Sequence, residues 1–261
     1  MLITKYNFMQ RIFFLLVIAV LLFSCNNKPR QVITYYDEAK QTKKEEYTVT
    51  GKEPGERNGA YTSYYPDGTK KEERTYKKDK LDGVVKIYNK EGKIIEEVQY
   101  KNDLMNGSRK LYFPDGKPNI IENYTEGKYN GTYQAYFENG NMNQEGQYAD
   151  DKMTGLWKFY YENGKLKEEV TFANNMENGA YKRYYEDGKL ESEGQYKDEK
   201  EDGYWKYYYE SGKIKEEVNF EAGAEQGLVL VYSEKGDTLK RIEYNAGRVT
   251  KYKEYKKTVT H

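Results

Sequence analysis

From Gly155 to Thr171 the chain reads G-L-W-K-F-Y-Y-E-N-G-K-L-K-E-E-V-T. Trp157, Phe159 and Tyr161 alternate before Glu-Asn-Gly-Lys, with Lys158 between the first two; Leu166, Val170 and Phe172 follow it, interleaved with charge. Alternation with period two predicts a half-buried strand, and two such runs around Asn-Gly predict a hairpin whose glycine supplies a positive φ. Pro66–Thr69 (P-D-G-T) and Glu186–Lys189 (E-D-G-K) are the same device.

The unit recurs. Gly59 through Gly227 and Gly68 through Gly236 form two columns that step by 24 residues without an insertion, and Tyr64 through Tyr232 form a third. A fixed period of this size marks an array in which each unit stacks on its neighbours. Asn58, Asp82, Asn106, Asn130, Asn178 and Asp202 directly precede first-column glycines, which predicts a second turn there, between repeats. The predicted fold is all-β: an elongated single-layer antiparallel meander of about eight 24-residue hairpin repeats over residues 59–248. Its sixteen or so strands would extend roughly 75 Å.

Pairing tests the pattern. With Tyr161 opposite Leu166, Trp157 opposes Val170 and Lys158 opposes Glu169; Tyr181 then meets Gly194, Lys182 meets Glu193, and Trp205 and Lys206 meet Val218 and Glu217. One face is therefore aromatic and aliphatic, and the other carries Lys–Glu rungs. Glu168 and Glu216 fall on the apolar face, a misfit that a bulge near the turn would relieve. The tyrosine column lies on the charged face, opposite Lys167 and Lys215. It reads either as a structural ladder or as an aromatic binding strip, with Tyr112, Tyr136, Tyr160, Tyr184 and Tyr208 as candidate contacts.

The third unit deviates most. Arg109 replaces the aromatic, Pro118 opens the second strand without a ladder donor, and Ile120-Ile121 replaces acidic residues. Drift in a tolerant array is one account; a local interaction patch around Arg109, Pro118 and Ile121 is the other. At the ends, residues 35–58 read as a degenerate capping repeat with a longer loop, Gly51–Asn58. Residues 249–261 read as a C-terminal cap and tail whose lysines discourage edge-to-edge pairing.

Composition sharpens this. Charged residues make up 33% and the hydrophobic set 37%, a balance that suggests disorder; zero net charge and 30 tyrosines placed on a lattice argue against it. Tyrosine adds buried area while its hydroxyl stays wet.

The N-terminus follows another logic. Lys5 and Arg11 precede an apolar run, Ile12 to Phe23, and then Ser24 and Cys25. The run has 12 residues, short of the roughly 20 that span a bilayer, and reads as a secretory signal covering residues 1–24. Leu22-Phe23-Ser24-Cys25 resembles the lipobox of bacterial lipoproteins, with Cys25, the one cysteine, as the lipidated residue and 25–34 as lipidated end and tether. The plain alternative is a signal peptide with a buried or incidental cysteine; Met9 is an alternative start to Met1. Loss of Lys5 and Arg11 leaves 41 basic against 43 acidic residues, a net −2. Nucleic acid is not expected as a partner.

The unit "NG.W..YYENGKLKEE..Y", as in Trp157–Glu169, Tyr181–Glu193 and Trp205–Glu217, resembles the bacterial variant of the MORN repeat over roughly residues 55–245. Proteins of this kind are often labelled YwqK-type antitoxins. The resemblance implies a scaffold with a protein- or lipid-binding surface, although this unit has a longer period and fewer glycines in its second strand than the standard MORN repeat. Catalysis, metal binding and a cofactor are not expected: His261 is the one histidine, at the chain's end, and the acidic residues recur with the repeat and face lysines. The leading expectation is a monomeric, lipid-anchored scaffold that binds protein partners at the bacterial envelope, on the outer membrane facing the periplasm. An antitoxin or immunity protein neutralising one toxin is the second, and envelope glycan binding through the aromatic strip the third.

Overall fold

The computed structural model describes residues 28–255; Cys25 and His261 lie outside them. The described chain has 21 strands in one open sheet and no helix. Strand order follows the chain, from Arg30–Tyr35 at one edge to Arg248–Glu254 at the other, and every pairing is antiparallel. The count exceeds sixteen for two reasons. Arg30–Tyr35 and Lys43–Thr50 add a hairpin before the first full repeat, and Arg248–Glu254 adds a last strand. Asp82 and Asp202 also divide two strands, into Lys80–Leu81 with Gly83–Tyr88 and Lys200–Glu201 with Gly203–Tyr208.

The expected register holds in the strand interiors: Trp157 opposes Val170, Lys158 opposes Glu169, Tyr181 opposes Gly194 and Lys206 opposes Glu217. At the turn it differs. A bulge after Phe159 puts Tyr160, not Tyr161, opposite Leu166. Tyr161 instead enters the turn, where its N–H donates to Lys165 O (2.8 Å) and its carbonyl accepts from Gly164 N (2.9 Å). The tyrosine column thus faces Leu166 and Ile214, while Lys167 and Lys215 lie over the rings of the turn residues Tyr161 and Tyr209.

The inter-repeat turn is not at the first glycine column. It lies four residues earlier, at pairs such as Lys78–Asp79, Asn102–Asp103, Asp150–Asp151 and Asn174–Asn175, each residue with φ between 47° and 71°. Two positive φ values in a two-residue loop make a type I′ turn, whose twist matches that of the strands. Gly179 lies inside the strand Met176–Tyr184, where the register slips between Val170 and Phe172. Its φ is +127°, and a Cβ there would sit 3.0 Å from the Thr171 Cβ. The glycine serves a bulge under a side chain, and the turn falls to pairs that are mostly Asn or Asp, with Glu126–Gly127, Ala222–Gly223 and Ala246–Gly247 as the others.

One row runs across the middle of the apolar face through Val85, Val98, Arg109, Glu122, Tyr133, Gly146, Trp157, Val170, Tyr181, Gly194, Trp205, Val218 and Val229. Trp157 and Trp205 are each only 1% exposed, an interior that a bare single layer would not provide. Flanking aromatic columns cover the row: Tyr148, Phe159 and Phe172, together with Tyr133 of the row itself, surround the Trp157 ring at centroid distances of 5.2–6.3 Å. Aromatic breadth thus replaces the second layer of a sandwich.

Candidate functional site

The opposite face carries the charged ladder. Successive strands place Lys86, Glu97, Lys110, Ile121, Gln134, Glu145, Lys158, Glu169, Lys182, Glu193, Lys206 and Glu217 side by side in one row. Between Lys86 and Glu217 the alternation of sign is broken by Ile121 and Gln134; beyond the ends of this stretch, Thr62 faces Glu73 and Leu230 faces Glu217. Contacts within the row are loose where they are direct (Lys86 to Glu97 at 3.5 Å, Lys158 to Glu169 at 3.8 Å), and pairs this exposed contribute little each.

The tyrosine column ties the ladder together. Tyr112 donates its hydroxyl to Glu97 (3.0 Å), Tyr160 to Glu145 (2.7 Å), Tyr184 to Glu169 (3.0 Å), Tyr208 to Glu193 (2.8 Å) and Tyr232 to Glu217 (2.8 Å). Each glutamate lies 15 residues upstream of its tyrosine. Burial, then the hydrogen bond to the carboxylate, pushes Tyr160, Tyr184 and Tyr208 up to about 12, so these hydroxyls remain neutral donors. In the reverse direction, hydrogen bonds from Lys70 and Tyr88 hold the Glu73 carboxyl below its ordinary value.

Tyr136 is the exception. The residue 15 positions upstream is Ile121, so its hydroxyl reaches only Gln134 Oε1, at 3.4 Å. Ile121 stands opposite Lys110 on one side and Gln134 on the other. Pro118 faces Tyr112, and Tyr136 faces Met142. Tyr112, Pro118, Ile121, Gln134, Tyr136 and Met142 therefore form an uncharged window on the ladder face, bordered by Lys110 and Glu145.

A second tyrosine column also changes at this place. Tyr65, Tyr161, Tyr185 and Tyr209 each donate a hydroxyl to the carbonyl of the column tyrosine one repeat on, at 2.6–2.9 Å. The equivalent positions in the third and fourth units are Phe113 and Phe137, which have no hydroxyl to give. The junction between the third and fourth units thus loses both clamps, since Phe113 gives no hydroxyl and Tyr136 meets no glutamate; Asn89 and Ser233 replace the second-column tyrosine in the second and eighth units. The 24-residue spacing already made this visible in the sequence, once read column by column.

Arg109 does not belong to the window. It projects from the other face, where its Nε donates to Glu96 (2.7 Å) and a terminal nitrogen to Glu122 (2.8 Å). Glu122 is 3% exposed and accepts Tyr124 Oη as well, at 2.9 Å. Arg109 is the counter-charge that makes a buried glutamate tolerable in the central row. The structure therefore brings Pro118, Ile121, Tyr112 and Tyr136 together and separates Arg109 from them. Among the described residues no cluster of three or more His, Cys, Asp or Glu side chains could hold a metal ion.

A family model described as "MORN repeat variant" matches seven segments, residues 57–78, 81–102, 105–126, 129–150, 153–174, 177–198 and 201–222, more than half the chain. Each segment ends at or beside a type I′ turn, so the family unit coincides with the structural hairpin. Comparison with curated proteins gives no match. Among solved structures, a porin-like protein from Bacteroides uniformis is similar over 88% of this chain and 97% of its own, at 11% identity and a TM-score of 0.21. The TcdB2-TccC3-Cdc42 structure and the Photorhabdus luminescens Tc holotoxin pore are similar over 83% and 82% of this chain, each at 13% identity, with TM-scores of 0.18 and 0.17. This chain spans 14% of the length of each of those two chains. Overlaps this loose carry nothing about function.

Proposed function

We propose that this chain, which belongs to the MORN repeat variant family, is a non-catalytic binding scaffold held at the bacterial envelope by lipid on Cys25, and that it engages a protein partner through the window at Ile121. The observation that carries the reading is local. The ladder face repeats its Lys–Glu–Tyr arrangement on both sides of the window and departs from it in two adjacent strands, where uncharged Ile121 and Gln134 take the place of charge. Uncharged, aromatic-bordered patches with a polar rim are what protein interfaces bury. In the column that runs from Tyr64 to Tyr232, every hydroxyl but that of Tyr136 is already spent on a carboxylate, which favours a protein over a glycan that would need them as donors. An antitoxin would use the same window for a single toxin, encoded next to it and lethal when the antitoxin is lost.

Repair of the ladder separates function from stability. Ile121→Glu with Gln134→Lys gives Tyr136 a carboxylate and restores the alternation of charge. The expected result is an equal or higher thermal midpoint together with loss of the partner captured by the wild-type protein from its own envelope. Undiminished capture would sink the window as the binding site. Acylation of Cys25, read by mass spectrometry of the membrane-extracted protein, tests the anchor separately.

A further inference from the structure

We propose that the N-terminal end of the array holds a separate site, a cleft at the loop of residues 51–55 that captures a peptide by its free C-terminal carboxylate, with the Arg57 guanidinium as the receiving fork. All later inter-repeat connections in the described chain are two-residue turns; this one has five residues, between Lys43–Thr50 and Glu56–Tyr64. Two openings, of about 710 and 360 Å³, meet where Pro54, Gly55 and Asp79 line both.

Arg57 lines the smaller opening, and its guanidinium carbon lies over the Tyr76 ring, 4.2 Å from the centroid. Its Nε donates to Asp79 Oδ1 at 3.3 Å, and its backbone N–H donates to the same oxygen at 2.9 Å. The two terminal nitrogens have no hydrogen-bond partner among the described residues. The inner-face arginines Arg74 and Arg109 differ: Arg74 spends Nε and a terminal nitrogen on Glu72 at 2.6 and 2.7 Å, and Arg109 is divided between Glu96 and Glu122. Arg57 is thus stacked, oriented by one carboxylate, 41% exposed, and left with its bidentate edge unspent. That edge matches a carboxylate in geometry, and stacking lowers the entropy lost on binding.

The surroundings choose among anions. Lys52 and Lys78 line the larger opening together with Glu56 and Asp79, a balance that suits one carboxylate and disfavours a polyphosphate. The smaller opening offers the Tyr47 and Tyr61 rings, 6.1 Å apart, beside the opposite charges of Glu45 and Arg74, a receptacle for an aromatic last side chain. A carboxylate fork beside a pair of aromatic rings supplies the parts that C-terminal recognition requires.

The test uses the full chain in detergent and fluorescein-labelled tetrapeptides ending in phenylalanine, as free acids and as C-terminal amides, read by fluorescence polarisation. The acid should bind roughly 10- to 100-fold more tightly than the amide, the loss expected for one charge-assisted contact. Arg57→Gln should abolish that preference at an unchanged thermal midpoint, and Arg57→Lys should keep part of it. Equal binding of acid and amide, binding of neither, a preference that survives Arg57→Gln, or displacement of the peptide by equimolar inorganic phosphate would each overturn the proposal. The site stands apart from the window, so the Ile121→Glu, Gln134→Lys variant should bind the acid peptide like wild type.

Discussion

Trp157 and Trp205 each lie over a glycine on the preceding strand. A Cβ on Gly146 would come within 2.1 Å of the Trp157 ring, and one on Gly194 within 2.2 Å of the Trp205 ring. The indole N–H donates to the backbone next to each glycine, Trp157 to Gln147 O and Trp205 to Gln195 O, at 3.3 and 3.2 Å. Large and small residues alternate along the row because the sheet has no second layer into which a wrong volume could relax. Gly146→Val should therefore lower stability in urea unfolding by about 1–3 kcal/mol, and adding Trp157→Val should recover part of the loss. Hydroxyls on the other face can be tested in the same way. Tyr160→Phe removes a bond to Glu145 and should cost about 1 kcal/mol, whereas Tyr136→Phe, which loses only a 3.4 Å contact to Gln134, should change the thermal midpoint little. Equal effects at the two positions would show that the carboxylate is not what the column tyrosine stabilises.

At the scale of strands, the two faces respond to acid in opposite directions. Burial, then the charges of Glu168 and Glu199, raises Glu177, and burial, then Glu225, raises Glu216; both side chains lie on the apolar face, opposite Phe172 and Tyr207. A raised carboxyl binds its proton more readily folded than unfolded, so folding stability grows as pH falls from the folded pKa toward the ordinary glutamate value. Glu73 and Glu217 on the ladder face are lowered by their hydrogen bonds to Lys70 and Tyr88, and to Tyr204 and Tyr232. Their contribution is present above the unfolded pKa and is lost as pH falls through the folded one. Glu177→Gln with Glu216→Gln should thus be more stable than wild type at neutral pH, with the difference shrinking as the buffer approaches the ordinary glutamate range. A difference that stays constant with pH in urea titrations would contradict this assignment.

For the whole molecule, the array is one-dimensional: each strand answers only to its neighbours. Deletion of 24 residues, 177–200, keeps the period but removes Gly194 and brings Val170 beneath Trp205. Deletion of 48, residues 153–200, instead returns Gly146 beneath Trp205 and Glu145 to the Tyr208 hydroxyl. The longer deletion should fold with the sharper thermal transition despite losing twice as much chain; the reverse order would mean that the glycine–tryptophan pairing does not govern the core. Both deletions leave the window intact, so partner capture should survive in whichever variant folds.

Period, strand content, the Lys–Glu rungs and the charged placement of Ile121 were all legible in the chain, because each depends on alternation within a strand or on pairing across one tight turn. The 15-residue step from Tyr136 to Ile121 was present too, but it acquires meaning only when the hydroxyl of every other repeat is seen to reach a glutamate. Tertiary structure decided the rest. Asn-Gly is the stronger turn signal taken locally, yet Thr171 packs over Gly179 and the turn moves to Asn174–Asn175. Arg109 reads as a surface residue until Glu96 and Glu122 arrive from the strands on either side. A strand pattern specifies which face a side chain takes; what meets it there depends on the two strands beside it, and those neighbours are chosen only when the sheet closes up.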